Sequence, residues 1–473
     1  MCSTDRDRVA HSPEDSSSAG RGEGVRTMNR NSREEIASII ADMPVINHHE
    51  HAWRSFSADH GEEFDLPYYL SCHYLRDDLV AAGLATPPGL FDYLNDPRIP
   101  DRAEEAWGVL RPFLDKVRNT SYFRYLLRGL NDLFGITEDD VFSERWHEAS
   151  ERIRRYSQEH RGKGGDLCRR MRVVTTVLDG KIGAAEFRRL NSGDHRLLRI
   201  ARLDQFIHEG RGLAETLDEY AGADFEHWLA AFDGFFHRSL ENGAAGFKSG
   251  LAYNRRIEYS DPSKGDAARI FKSGLLTASP AEKAIYQDYM VNRLCRLCAE
   301  ANVPLQIHTG IQTGTGHVLE NARPTLLTGL FRRHGDLRVD LFHGGYPWCV
   351  QAGLMAKYFP NVYIDGCWLH HISPSAYRAA LTSWIETVPM NKIFAWGGDH
   401  NLLEHSYASL AMARELIVDV LADLVDHGYF DVDLALVVAR RILHDNGVEF
   451  WRLAGADGAL HVDTAVSTAG GQA

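Results

Sequence analysis

The sequence is short of everything that would tie it to a membrane, a polyanion or a disulfide scaffold. No stretch approaches the ~18 consecutive apolar residues of a spanning helix. The opening MCSTDRDRVAHSPEDSSSAGRGEG carries no apolar core of the kind a secretory signal has. Excess positive charge is lacking too. The 52 Lys and Arg face 65 Asp and Glu for a net charge of -13, which argues against a nucleic-acid partner. A small-molecule substrate stays open, even an anionic one, because it needs only one or two placed cations. The seven cysteines are odd in number and scattered, so no disulfide framework is implied and a reducing, cytoplasmic setting is expected. Cys295 and Cys298 form one C-x-x-C inside a helical pattern, with no second pair to complete a zinc knuckle. Nucleotide signatures are also missing: neither G-x-x-x-x-G-K-[ST] nor G-x-G-x-x-G stands at a strand end.

What is present is alternation. Short apolar runs, each followed by an amphipathic helical pattern, recur at 44–51, 172–178, 197–203, 244–251, 303–308, 338–343, 361–365 and 392–396. Such alternation is the sequence form of a parallel sheet with covering helices. Eight strands and βα spacings of 35 residues (His308 to His343) and twice 28 (His343 to Asp399) predict an α/β fold, a (β/α)8 TIM barrel. A helical insertion over 54–170 follows strand one, with patterns at 65–82, 102–118 and 122–134. Loops at that end of a barrel sit over the substrate, so the insertion reads as a cap, or else as a packing or dimerising element. The barrel is expected over 31–455, between loose polar tails at 1–30 and 456–473.

Strand one ends Asn47-His48-His49-Glu50-His51. Side chains at i and i+2 share a face, so His49 and His51 aim together at the barrel mouth, half of a divalent-metal site. Alone, an H-x-H says little in a chain with 23 histidines. Four more polar residues stand at or near strand ends: Lys248 in GFKSG, His308 before Thr-Gly, His343 before Gly-Gly-Tyr-Pro, and Asp399 after Trp396-Gly397-Gly398. Singly, each reads as a hydrogen-bonded core group; together they point to the catalytic end of a barrel. Arg202 ends strand three, placed either to clamp a carboxylate or to pair within the rim. Tyr253 and Arg255, beyond the lysine strand, and Trp348, Trp368, His370 and His371, in later loops, are candidate substrate contacts.

The order H-x-H, Lys, His, His, Asp on strands one, four, five, six and eight resembles the amidohydrolase superfamily. GFKSGLAYNR, PLQIHTG, FHGGYPW, YFPNVYID and GGDH are similar to its amidohydrolase-2 branch, above all to the domain fused to glutamine-synthetase-like modules and found in nodulin-like proteins. The likeness runs from Pro44 to Leu453, firm from Gly243 on and loose across the insertion. It implies that His49 and His51 bind a first metal, with Asp399 as third ligand and as the base that takes a proton from water. His308 and His343 then bind a second metal, or in a one-metal site His308 ligates and His343 polarises the substrate. Lys248 matches the lysine that carries CO2 as a metal-bridging carbamate; a salt-bridging lysine is the alternative. The implied cofactor is Zn2+, one or two ions, with Mn2+ or Fe2+ also suited to mixed N/O ligands. The chain departs from the branch at the last strand, where Gly397-Gly398-Asp399-His400 replaces a Ser/Thr-Asp but keeps the aspartate.

The function this implies is a metal-dependent hydrolase that activates water to cleave an amide or ester bond of a small carboxylated substrate. Superfamily relatives that isomerise uronates or decarboxylate without oxidation use a similar H-x-H and Asp but usually lack the bridging lysine, so Lys248 leans toward hydrolysis. A non-enzymatic metal-binding protein is the third reading, disfavoured because all six ligand positions are intact. Oligomeric state is open, a homo-oligomer included.

Overall fold

The computed structural model describes residues 30–59, 63–71, 73–85, 103–180, 182–193, 195–208 and 224–453. The two loose tails expected at the ends lie outside the described residues, apart from Arg30, which begins a helix. Eight strands stand in sequence order: β1 (Val45–Glu50), β2 (Val173–Asp179), β3 (Arg196–Ala201), β4 (Ala244–Ser249), β5 (Leu305–His308), β6 (Val339–Phe342), β7 (Val362–Asp365) and β8 (Ile393–Phe394). Each pairs with the next in parallel. Beyond β8 the chain returns to β1: the Asp399 N–H donates to the His49 carbonyl (2.8 Å) and the His51 N–H to the His400 carbonyl (3.1 Å). The ring is the barrel that the alternation predicts.

Every residue of β1, β4, β5 and β6 is buried, as parallel strands between a filled barrel and a helical coat must be. The coat is locally encoded. The helix Pro280–Glu300, for instance, starts with a Ser279/Glu282 capping box and a proline in its first turn, where a missing N–H costs nothing. Cys295 and Cys298 are buried on that helix as free thiols, as are Cys168, Cys349 and Cys367. No helix among the described residues is long and apolar enough to cross a membrane.

Two expected elements come out differently. β8 is two residues long instead of five, because Ala395 donates its N–H to Ile442 in the C-terminal helical segment and the chain then turns through Gly397-Gly398. The helix expected over 65–82 is two, Leu66–Tyr69 and His73–Ala81. His73 at the break has φ 43°, outside helical space.

Between β1 and β2 the described chain is helical: after those two come Ala103–Val117, Ser121–Phe134, Glu138–Phe142, Trp146–Glu159 and Gly164–Arg170. These helices share a core of their own, including Tyr69, Leu110, Phe123 and Leu126, and that core continues into Phe342, Cys367 and Trp368 at the ends of β6 and β7. The insertion therefore rests on the C-terminal mouth of the barrel.

Candidate active site

β1 supplies His49 from within the strand and His51 just past it, their rings edge to face with centroids 5.1 Å apart. Asp399 reaches the same place from the loop after β8. Its Oδ1 lies 3.0 Å from His51 Nε2 and 3.5 Å from His49 Nε2, and its Oδ2 lies 3.6 Å from His343 Nε2. Lys248, His308, His343, Arg202 and Tyr253 line the same cavity, of about 90 Å³, together with Trp368 and, from the insertion, His73.

Neighbours fix the protons on the first two imidazoles. Gln306 donates its amide N–H groups to the His48 carbonyl (3.0 Å) and the Asp340 carboxylate (2.8 Å), so the atom facing His49 Nδ1 at 2.9 Å is its acceptor oxygen. His49 Nδ1 must carry the proton, and Nε2 keeps its lone pair. His51 Nδ1 donates to the Asp179 carbonyl at 2.6 Å, with the same consequence. Two lone pairs then confront the Asp399 carboxylate and that of Asp179, 3.3 Å from His49 Nε2. Like against like is repulsive unless a positive charge lies between. A proton on His51 is one answer: burial opposes it, but the hydrogen bond and charge of Asp399 outweigh burial and raise that pKa. A divalent cation is the other, and acceptors that hold Nδ1–H are the usual support of a metal-ligating histidine.

The donor chemistry fits that second answer. The ligating atoms of His49, His51 and Asp399 lie within 4.8 Å of one another, as do those of His343, Cys367 and Asp399. Among the described residues, Lys248 Nζ and His343 Nδ1 are buried with no hydrogen-bond partner, a state that costs about 1–3 kcal/mol per group. Burial and the nearby Lys248 lower the pKa of His49 and hold His308 well below the usual imidazole range. Burial, then His308 and Lys248, do the same to His343. All three are neutral, as ligands must be. Burial works against charge on Asp399, and what pulls its pKa well below the carboxylate range is positive charge placed at the imidazoles around it, His49 first, then His51 with its hydrogen bond, and His343, the place a bound cation would take. The Lys248 ammonium sits 3.2 Å above the Phe342 ring, and burial brings its pKa down to about 8.

Backbone strain gathers at the same spot. Of seven described non-glycine residues with positive φ, four line this cavity: His73, His343, Trp368 and Asp399. Such conformations cost about 1–3 kcal/mol each and persist where the surroundings over-determine them.

Arg202 lines the cavity and at the same time pairs within the rim. Its Nε donates to both oxygens of Asp179 (3.1 and 2.8 Å) and its Nη2 to one of them. Two of the expected substrate contacts stand apart from this cavity. Arg255 ion-pairs with Asp288 (2.7 Å) and donates to Gln287 (3.0 Å), which ties it to the helix Pro280–Glu300. Trp348 stands at the N-terminal end of the helix Cys349–Tyr358, and neither residue lines the cavity. The tryptophan that does is Trp368, stacked on His343 with centroids 4.2 Å apart. His370 and His371 lie instead in a buried set with Ser409, Tyr125 and His400. Sequence reasoning passed over Gln306, Asp179 and His73. Gln306 had a signal, a polar side chain two residues before His308 and so on the same strand face. Asp179 lay one residue past the expected end of β2. His73 had no signal, being one polar residue among many in the insertion.

The amidohydrolase family model matches residues 237–453. Protein fluG of Emericella nidulans is 26% identical over 286 residues, 55% of this chain. That match is 32% of the relative, so the chain spans about a third of its length. Among solved structures, glucuronate isomerase from Caulobacter crescentus superposes with a TM-score of 0.72 at 19% identity, over 91% of this chain and 95% of that one. A candidate metal-dependent hydrolase from Lactobacillus casei gives 0.62 at 16% identity, over 88% and 97%. At such identities both bear on the fold alone.

Proposed function

Residues 237–453 belong to the amidohydrolase family, and from that premise we propose that the chain is a metal-dependent hydrolase acting on an amide or ester bond of a small carboxylated substrate. The observation that carries this reading is the pair of tautomer-fixed histidines, His49 and His51, whose lone pairs oppose two buried carboxylates. His49, His51 and Asp399 would hold the first cation, Zn2+ by donor type with Mn2+ or Fe2+ as substitutes. His308, His343 and Lys248, the last as a carbamate, would hold a second; in a one-metal site His343 instead polarises the substrate carbonyl. A cation so held supplies Lewis acidity toward the carbonyl and the water.

The side chains do the rest. Asp399, ionised and buried at the point where the imidazoles converge, takes a proton from the attacking water and returns it to the departing nitrogen or oxygen as the C–N or C–O bond breaks. Trp368 and the insertion restrict bulk water at the mouth, which strengthens every charge interaction inside. Free buried cysteines suit the cytoplasmic setting.

A uronate isomerase or non-oxidative decarboxylase on the same residues is the second reading, kept because the H-x-H and Asp that such chemistry uses stand together here as His49, His51 and Asp399. Lys248 discriminates. The test loads purified protein with Zn2+ and bicarbonate, counts metal by mass spectrometry, and screens esters, lactones and acyl amino acids alongside D-glucuronate. Metal-dependent hydrolysis supports the proposal. Isomerisation without hydrolysis would install the second reading, and protein that retains no metal would defeat both.

A further inference from the structure

The two oxygens of Asp399 face different partners. Oδ1 is turned to the β1 histidines, 3.0 Å from His51 Nε2 and 3.5 Å from His49 Nε2. Oδ2 is turned the other way, 3.6 Å from His343 Nε2. The Oδ1 side is the one proposed for the first cation. The Oδ2 side has a member not yet given a role: the sulfur of Cys367, a ring nitrogen of His343 and an oxygen of Asp399 lie within 4.8 Å of one another. These three side chains come from successive strand ends. His343 directly follows β6, Cys367 stands two residues after β7, and Asp399 lies in the loop after β8.

A buried thiol by itself is ordinary core material. The imidazole beside it is not. His343 is 2% exposed, and among the described residues its Nδ1 has no hydrogen-bond partner. Its Nε2 faces Asp399 Oδ2 from just beyond hydrogen-bonding distance. Ligands at about 2.0–2.3 Å around a tetrahedral ion lie roughly 3.3–3.8 Å from each other, so a nitrogen and an oxygen 3.6 Å apart have the spacing of a shared cation. Cys367 is held in place beside them. Its N–H donates to Asp365 Oδ1 at 2.7 Å, which fixes the turn after β7. Its thiol donates to the Gly397 carbonyl at 3.2 Å, a weak bond as thiol bonds are. Gly397 leaves the sulfur uncrowded: a Cβ there would stand 3.1 Å from it. Charge gives the sulfur its use. Asp179 is held by Arg202, so a second dication beside Asp399 needs another anion, and a thiolate is one.

We propose that Cys367 is a thiolate ligand of the second cation, beside His343 and Asp399 Oδ2, and that it makes that position selective for Zn2+. The inference deepens the metal-dependent reading, rests on it for the first cation, and adds a sulfur to the side chains named there for the second. The thiol proton leaves to solvent as the sulfur takes the cation. Thiolate favours Zn2+ over Mn2+, whereas the nitrogens and oxygen of His49, His51 and Asp399 accept either ion. The two positions then differ in which metal they keep.

The experiment is X-ray absorption at the zinc edge on the full chain saturated with Zn2+, with no turnover required. Wild type is measured beside Cys2→Ser/Cys72→Ser, which removes the two cysteines outside the described residues. Both should show a sulfur shell at about 2.3 Å next to nitrogen and oxygen at about 2.0–2.2 Å. Cys367→Ser and Cys367→Ala should lose the sulfur shell, and the preference of the second equivalent for Zn2+ over Mn2+ should fall about tenfold or more. Cys298→Ser, a change to a buried thiol on the helix Pro280–Glu300, should alter neither. A wild type with nitrogen and oxygen alone overturns the thiolate whether or not the variants fold. So does a sulfur shell that vanishes in Cys2→Ser/Cys72→Ser, or one that survives in folded Cys367→Ser. Protein that hydrolyses esters with zinc held by nitrogen and oxygen alone keeps the hydrolase reading and loses the thiolate. Sulfur-ligated zinc in a protein that hydrolyses nothing does the reverse.

Discussion

The Glu50 carboxylate accepts the backbone N–H of His400 at 2.8 Å, across 350 positions of chain. Its two oxygens also take the N–H of His51 (3.1 Å), the amide of Asn47 (3.0 Å) and the hydroxyl of Ser406. Asn47 in turn accepts the Gly398 N–H at 2.8 Å. Four donors on one buried carboxylate thus fasten the loop that presents Asp399 to the strand that presents His49 and His51. The loop is close to the carboxylate: a Cβ on Gly398 would collide with Glu50 and lie 2.6 Å from Ser406 Oγ.

Removing that carboxylate should loosen the site and the fold together. Glu50→Ala leaves buried donors unsatisfied and is expected to cost roughly 3–5 kcal/mol of stability, with Zn2+ affinity reduced because Asp399 is no longer held against the histidines. Glu50→Gln keeps one acceptor oxygen and should fall between Ala and wild type. Urea unfolding and metal titration on the three proteins check this; a Glu50→Ala protein with wild-type metal affinity would show that the clamp does not position Asp399.

Gln306 offers a change that touches no proposed ligand. Gln306→Leu removes the acceptor that keeps the proton on His49 Nδ1 and takes a donor from Asp340. The expected loss is about 10–100-fold in metal affinity, the usual effect of removing a ligand's supporting hydrogen bond. Competition with a chromophoric chelator measures it. An unchanged dissociation constant would mean that His49 does not ligate through Nε2.

The barrel was legible because its signal is repeated: eight apolar runs separated by helical patterns each overlap one of the eight parallel strands, in the same order. The convergence of His49, His51, Lys248, His308, His343 and Asp399 was legible for a related reason, since strand ends in a barrel share one rim. What the letters could not show depends on partners far along the chain. Arg202 reads the same whether it faces a substrate or Asp179, and only the fold brings Asp179 to it. Trp348 and Trp368 have similar settings in sequence, but a positive φ at Trp368 turns it against His343. The glycines before Asp399 looked like a departure from a pattern; the Glu50 carboxylate leaves no room for a side chain at Gly398.

Lys248 decides between one chemistry and another. If its amine is carbamylated, Lys248→Ala should lose the second equivalent of metal and most activity, about 100-fold or more, since a positioned ligand is removed from the reacting centre. Carbon NMR of wild-type protein in labelled bicarbonate should then show a carbamate signal that Lys248→Ala lacks. Full metal content and full turnover in Lys248→Ala would leave the lysine as a salt-bridging residue.

Acid should destabilise the fold through His195, far from any proposed ligand. The ring packs parallel to Phe56 at 5.6 Å and its Nε2 shares a hydrogen bond with Thr176 Oγ1 at 2.9 Å. Burial, with Arg169 adding to it, takes its pKa from 6.5 down to about 4. Between those values the unfolded chain binds a proton that the folded chain refuses, so stability rises with pH across that window. The contribution is complete above pH 6.5 and is lost as pH falls toward 4, a total of roughly 3 kcal/mol by the standard conversion. Other buried histidines add their own acid sensitivity, so the informative quantity is a difference. Unfolding free energies for wild type and His195→Gln, each at pH 7.5 and 5, should show a drop smaller by about 2 kcal/mol in the variant. Equal drops in the two proteins would mean that His195 takes up its proton as readily in the folded barrel as in the open chain.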